Sequence, residues 1–264
     1  MVGVFIGIGV GPGDPELLTF KVAKALKAVD VICVPKSHIN KPSMALGMIR
    51  EVLAEREKPV EIIELVFPMT KDELNNRKLW MESAAIVAEK VKKGDVAFIT
   101  LGDPMLYSTF RYLYECVKET YPEIELEIIP GVTSVTAVAA SSKLPLAEKD
   151  EVVTIIPSDL DPTHLEDVAR HADNLVFMKC AFHIKELIPI LLKAGFTENS
   201  TVALVKRCTL LEEKVLVGKL CEVEDWDITE DYFSVAIVKK SQVPIHWKQN
   251  GNGCDKSGCG CSHE

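Results

Sequence analysis

Through the first half of the chain, short β-branched and aromatic runs alternate with stretches of helical spacing, and the runs end in glycine- and proline-bearing turns. The runs are Val4-Phe5-Ile6-Gly7-Ile8, Asp30-Val31-Ile32-Cys33-Val34, Val60-Glu61-Ile62-Ile63-Glu64-Leu65 and Val96-Ala97-Phe98-Ile99-Thr100. Between and after them, residues 15–28, 43–54, about 76–92 and about 106–120 read as helices. Strand and helix in strict alternation predict a parallel sheet with crossover helices, an α/β domain.

After Tyr121-Pro122-Glu123 a second series starts, with expected strands at residues 124–129, 152–156, 174–178, 201–205, 213–217 and 232–238, and helices at 133–141 and 184–194. Two of these strands follow one another near residues 201–217 with no helix between them, so a mixed sheet with a hairpin is expected in this half. With 264 residues, 47% of them hydrophobic, the chain can bury a full core. We divide it at the Tyr-Pro-Glu segment into an N-terminal α/β domain, residues 1–121, and a C-terminal α/β domain, residues 122–241. Residues 242–264 are a polar, Cys/Gly-rich tail.

A formal net charge of -9 argues against a nucleic-acid partner. No apolar run approaches the ~20 residues of a membrane span, and the start lacks the charged region and cleavage site of a signal peptide. The chain is therefore read as cytoplasmic, with no membrane partner. Cys33, Cys116, Cys180, Cys208 and Cys221 stand singly in apolar segments, where buried, reduced thiols are expected.

Three strand ends carry chemistry-bearing turns. Gly7-Ile8-Gly9-Val10-Gly11-Pro12-Gly13-Asp14-Pro15 occupies the position of a dinucleotide loop, yet the G-x-G-x-x-G pattern fails: from Gly7 it meets Pro12 and from Gly9 it meets Asp14. There is no Gly-Lys-Ser/Thr of a P-loop either. Locally, Asp14 is an N-cap with Pro15 at the first helical position, and the density of glycine implies close approach of the backbone to something. Leu101-Gly102-Asp103-Pro104-Met105-Leu106 repeats the grammar of strand, turn and helix, with Asp103 placed to bind or to cap. Ile129-Pro130-Gly131-Val132-Thr133-Ser134 does so again, with Thr133 as an N-cap. In open α/β sheets the crevice outside the strand C-termini holds the ligand.

In this order, the three turns resemble the tetrapyrrole (corrin/porphyrin) methyltransferases, a family that uses S-adenosylmethionine (SAM). Gly9 to Thr19 is similar to the family's first signature, and Gly102-Asp103-Pro104 with Pro130-Gly131-Val132-Thr133-Ser134 to its central ones. The string Leu101-Gly102-Asp103-Pro104-Met105-Leu106-Tyr107-Ser108-Thr109 points to the branch that methylates C20 of precorrin-2 or cobalt-factor II in cobalamin synthesis. The resemblance runs from about Val4 to Val238. It implies a two-domain fold with SAM and substrate in the interdomain cleft, and SAM contacts at Pro12, Leu101, Gly102, Asp103, Leu106, Thr133, Ser134, Met178, Ser234 and Val235. It also implies a homodimer. The chain departs from its relatives at Pro35, where those acting on uroporphyrinogen carry an aspartate, and at Cys208, which replaces a common glycine.

Methyl transfer from a sulfonium to carbon needs alignment and exclusion of water and no protein nucleophile, so no catalytic residue is assigned. Early corrin precursors carry many carboxylates. Lys36, His38, Arg111, Lys179 and Arg207, with Lys41 and Lys206, are the cations available to a tetrapyrrole substrate. An aromatic such as Tyr107, beginning a helix, is expected to pack. In the tail, Cys254, Cys259, Cys261 and His263 compose a Cys3His donor set for a metal, or else belong to a disordered or redox-active tail. The alternatives are another methylase of this fold, including one acting on the diphthamide precursor, a dinucleotide-dependent oxidoreductase and a metal carrier.

Overall fold

The computed structural model describes residues 3–36, 43–68, 72–157 and 160–243. The elements run β1 (Phe5–Gly9), α1 (Phe20–Ala28), β2 (Val31–Lys36), α2 (Met44–Met48), α3 (Arg50–Ala54), β3 (Glu61–Val66), α4 (Glu73–Val91), β4 (Val96–Thr100), α5 (Phe110–Thr120) and β5 (Leu126–Ile129). They continue with α6 (Ser134–Ser142), β6 (Val153–Ile156), α7 (Pro162–Arg170), β7 (Asn174–Met178), α8 (Ile184–Lys193), β8 (Thr201–Lys206), β9 (Lys214–Lys219) and β10 (Ser234–Lys239).

β1 to β5 form a parallel sheet in the order β3-β2-β4-β1-β5. Strand periodicity splits its side chains between two cores. Phe5, Val31, Cys33, Val96 and Phe98 pack with α4 and α5, while Ile6, Ile8, Ile32, Val34, Ala97 and Ile99 pack on the opposite face with α1, α2 and α3. Because both faces are covered, β1 and β4 are buried throughout, which is why they read as unbroken apolar runs. The chain leaves β1 toward one face and β4 toward the other, so the C-terminal ends of these neighbours are a topological switch point.

The second sheet, β6-β7-β10-β8-β9, is mixed: β6 and β7 are parallel, the other pairs are antiparallel, and β8-β9 is the expected hairpin. One face packs on α7 and α8 and the other on α6. Since α6 follows β5 but covers the second sheet, it joins the two layers of the fold.

Several local expectations shift. The segment at residues 15–28 is a 3-10 turn, Pro15–Leu17, followed by α1, because Thr19 caps the true helix through Val22 N (3.2 Å). The segment at 43–54 is two short helices broken at Ile49. Tyr121-Pro122-Glu123 does not separate the sheets: it connects α5 to β5, which pairs along β1 from Phe5↔Leu126 to Ile8↔Ile129. The passage to the second sheet therefore comes after Ile129. Among the described residues no helix is long and apolar enough to cross a membrane. Burial pushes the Cys33 and Cys180 thiols up to about 12 and Cys208 to about 11, so these sulfurs stay protonated, whereas Cys221, expected inside, is exposed.

Candidate functional site

The turns after β1, β4 and β5 are tied into one knot. Gly102 N donates to Gly11 O (2.7 Å) and Gly11 N to Gly102 O (3.3 Å), an isolated antiparallel bridge between the first two turns. The third turn closes on both: a methyl group at Gly131 would sit 2.6 Å from Gly9 O and nearer still to Gly102 O. The glycines thus serve contact of backbone on backbone. Asp103 fastens the knot, its Oδ1 accepting from Met105 N (2.8 Å) and its Oδ2 from Gly131 N (3.0 Å). It caps its own turn and staples the third turn to the second. Replacing Asp103 with alanine is expected to cost roughly 1–2 kcal/mol in urea unfolding; unchanged stability would show that the staple is idle.

The second sheet meets this knot at the end of β8. Asp14 N donates to Thr209 Oγ1 (3.0 Å), and Glu213 Oε2 accepts from both Thr209 N (2.5 Å) and Ser141 Oγ (3.0 Å). The β1 turn, α6 and the β8-β9 connection are locked together. Beside them, Leu106, Val132 and Met178 lie half-buried on an apolar cluster that contains Val135, Val205, Cys208 and Val235.

Of the residues implied as SAM contacts, Pro12, Leu101, Gly102 and Asp103 are half-buried in the first two turns, and Thr133 caps α6, with Ser134 as its first residue, through Thr136 N (3.3 Å). Leu106, Met178 and Val235 meet through the shared cluster. Ser234 is enclosed, its hydroxyl donating to Asp231 O (2.8 Å) and accepting from Ala181 N (2.9 Å). Its first partners are therefore inside the protein.

The cations divide into two groups. Lys36 pairs with Glu64 across β2-β3 (2.8 Å), and Arg111 pairs with Glu115 on the outer face of α5 (2.9 Å). Lys179, Lys206 and Arg207, at the ends of β7 and β8, all engage residues 229–232. Lys179 Nζ lies 4.5 Å from the Tyr232 ring centroid, buried Lys206 donates to Thr229 Oγ1 (2.6 Å), and Arg207 pairs with Asp231 (2.8 Å). Burial works to raise the Asp231 carboxyl, but hydrogen bonds from Arg207 and from Phe233 N, with the charges of Arg207 and Lys206, together outweigh it and hold the group below its usual value. Sequence reasoning missed this segment and Thr209; the Glu230-Asp231-Tyr232-Phe233 run ahead of an apolar strand was the available signal.

His38 and Lys41, and the tail residues Cys254, Cys259, Cys261 and His263, lie outside the described residues. Among the described residues no group of three or more His, Cys, Asp or Glu side chains gathers as a metal site. A concavity along α7, lined by Asp161, His164, Glu166 and Arg170, is on the opposite face of the second sheet from α6, and Arg170 there is already paired with Glu166 (2.6 Å).

Residues 4–224 match the family model of tetrapyrrole (corrin/porphyrin) methylases. The chain is 40% identical over 236 residues to a probable cobalt-precorrin-2 C(20)-methyltransferase of Methanocaldococcus jannaschii, covering 89% of this chain and 95% of that one. It is 32% identical to the cobalt-precorrin-2 C(20)-methyltransferase of Salmonella typhimurium, with 91% and 98% covered. Among solved structures it superposes on a cobalt precorrin-4 methyltransferase with a TM-score of 0.67 at 22% identity, covering 89% of this chain and 94% of that one. It also superposes on the uroporphyrin-III C-methyl transferase of Thermus thermophilus complexed with S-adenosyl homocysteine (TM-score 0.64, 22% identity, 90% and 97% covered).

Proposed function

Because the chain belongs to the tetrapyrrole (corrin/porphyrin) methylase family, we propose that it transfers a methyl group from S-adenosylmethionine to C20 of cobalt-precorrin-2 or its metal-free form. The observation that carries this reading is the knot of three strand-end turns at the switch point, built from the segments whose order resembles the family. The names of the relatives favour the cobalt form. The same reading makes the protein a cytoplasmic homodimer of two-domain subunits.

Three features of the knot support a cofactor of this kind. Gly102 adopts φ +64°, and the nearest atom to a methyl group placed there is Val132 O at 4.0 Å, so one side of the turn is open. Leu101, Leu106 and Met178 offer apolar surface, and the Thr133 and Ser134 hydroxyls offer polar contacts at the start of α6. Asp103 keeps acceptor capacity beyond its two internal hydrogen bonds, since a carboxylate has about four lone-pair sites. When bound, SAM supplies an electrophilic methyl carbon. The protein's part is to align the acceptor carbon with it and to exclude water.

In this reading Lys179 and Arg207 take substrate carboxylates, Arg207 by exchanging Asp231 for a bidentate partner. Arg207→Ala is expected to raise KM for the tetrapyrrole by about tenfold with a smaller change in kcat; an unchanged KM would remove Arg207 from the substrate site. The whole reading is tested by incubation with labelled SAM and either cobalt-precorrin-2 or precorrin-2. The expected product gains one methyl group by mass, located at C20 by NMR. Calorimetric binding of NAD but not SAM would overturn it in favour of an oxidoreductase.

A further inference from the structure

We infer that Tyr107 is a substrate-facing residue whose ring lies against the tetrapyrrole macrocycle, an inference that rests on the function proposed above. An aromatic at a helix start normally packs. In this protein that role belongs to Phe110, which is fully buried between Phe5 and Phe98, with ring centroids 5.8 Å from each. Tyr107 stands in the turn before α5, is 54% exposed, and has a φ of +49°.

A bulky residue with left-handed φ is a steric outlier that glycine or asparagine would relieve. The turn does not need the ring to hold its shape. Thr100 Oγ1 and Ser108 Oγ are 3.0 Å apart, Ser108 Oγ accepts from Phe110 N (3.1 Å), Asp103 ties the preceding residues to Gly131, and Leu106 is seated on the apolar cluster beside Met178 and Val235. These contacts over-determine the backbone on both sides of Tyr107. Among the described residues no hydrogen bond or ring contact holds its side chain. The strain is therefore maintained by the surrounding fold and not by a hydrogen bond or ring contact of the tyrosine itself, the pattern expected where a side chain serves a ligand.

Of the five other described non-glycine residues at left-handed φ, Lys143 and Lys149 follow α6, while Lys179, Arg207 and Thr209 lie at the ends of β7 and β8, where the second sheet meets the knot. Two of these three are the cations offered to substrate carboxylates. A flat aromatic ring on the β4 rim complements them, because a conjugated macrocycle presents a planar face and charged edges.

The experiment compares Tyr107→Gly, Tyr107→Asn and Tyr107→Phe with the wild-type protein in thermal unfolding, SAM calorimetry and steady-state turnover of cobalt-precorrin-2. Glycine and asparagine are expected to leave the melting temperature equal or raised and SAM affinity within about twofold, while kcat/KM for the tetrapyrrole falls roughly 10- to 100-fold; phenylalanine should stay within about threefold. Three results would each overturn the inference: wild-type kcat/KM in Tyr107→Gly, a SAM Kd that rises in step with the tetrapyrrole KM, or a lowered melting temperature in both Tyr107→Gly and Tyr107→Asn. The second would assign the ring to the cofactor wall and the third to the fold. If the wild-type protein binds SAM but does not turn over the tetrapyrrole, the substrate reading itself falls and this inference with it.

Discussion

Gly131→Ala is expected to be the methyl addition that most damages the three-turn knot. Its new carbon would be placed 2.6 Å from Gly9 O and closer to Gly102 O, distances that side-chain carbons do not adopt, and both obstacles are backbone. Neither can rotate away. The turn after β5 would have to lift off the other two, breaking the Gly131 N to Asp103 bond and shifting the start of α6, which covers the second sheet. Overpacking of this kind costs typically about 1–3 kcal/mol, and the upper end applies because no side chain can absorb the strain. SAM affinity should fall by more than about tenfold, equivalent to the loss of ~1.4 kcal/mol.

Gly47→Ala provides the control. Gly47 lies in α2 with no atom within 4 Å of the added methyl, so this change should stabilise the protein by up to ~1 kcal/mol through helix propensity. Paired urea titrations measure both. Equal stability and SAM affinity in Gly131→Ala and the wild-type protein would show that the three turns are not in tight contact.

The second large effect is expected from Glu151. Lys239 in β10 is wholly buried and donates to Glu151 Oε2 (2.9 Å) and to Pro145 O (3.0 Å). The same Glu151 oxygen accepts from Asn174 Nδ2 and Glu148 N, each at 2.9 Å. These bonds tie the connection between α6 and β6 to the paired ends of β7 and β10, where Lys239 lies opposite Asn174. Asn174 Oδ1 is buried without a hydrogen-bond partner, an unused neutral acceptor that carries no counter-charge for Lys239. Glu151→Ala would leave a buried ammonium without its counter-charge, at a cost of about 3–5 kcal/mol. In the double variant Lys239→Met/Glu151→Leu the charge is removed with its partner, and the loss should be clearly smaller than for Glu151→Ala alone.

The cluster also sets a pH dependence. Hydrogen bonds from Asn174 and then Lys239 hold the Glu151 carboxyl down at about 2, against an ordinary 4.5. A depressed acid pKa contributes stability above the unfolded value and loses it as protons bind the folded form. The difference in unfolding free energy between wild type and Glu151→Ala should therefore be constant from neutral pH to about 4.5 and narrow as the pH falls toward about 2. A difference that does not change over that window would remove Glu151 as its source.

The legible and illegible parts of this protein separate by distance along the chain. Strand runs such as Val96 to Thr100 and caps such as Thr133 were readable because β-branching, apolar continuity and a hydroxyl before a helix act on neighbouring residues. The three glycine-bearing strand ends were readable too, and their order carried the family resemblance. What the glycines touch was not. Gly131 meets Gly9 and Gly102 across intervening elements, and Asp103 finds its second partner 28 residues away.

Similarly, Tyr-Pro-Glu has the local chemistry of a boundary, yet Leu126–Ile129 joins the first sheet because β1 offers it an unpaired edge and a matching register. Tyr107 looked like the opening of a helix, and the knot instead holds it in a backbone conformation its own side chain disfavours. The sequence by itself determined the strand-helix alternation, the caps and the glycine-rich strand ends, because these depend on dihedral preference and on the face a residue presents. Only the tertiary structure decided which turns share a wall, which carboxylate staples them and which cations share one rim, because those contacts arise from sheet order and from packing between residues far apart in the chain.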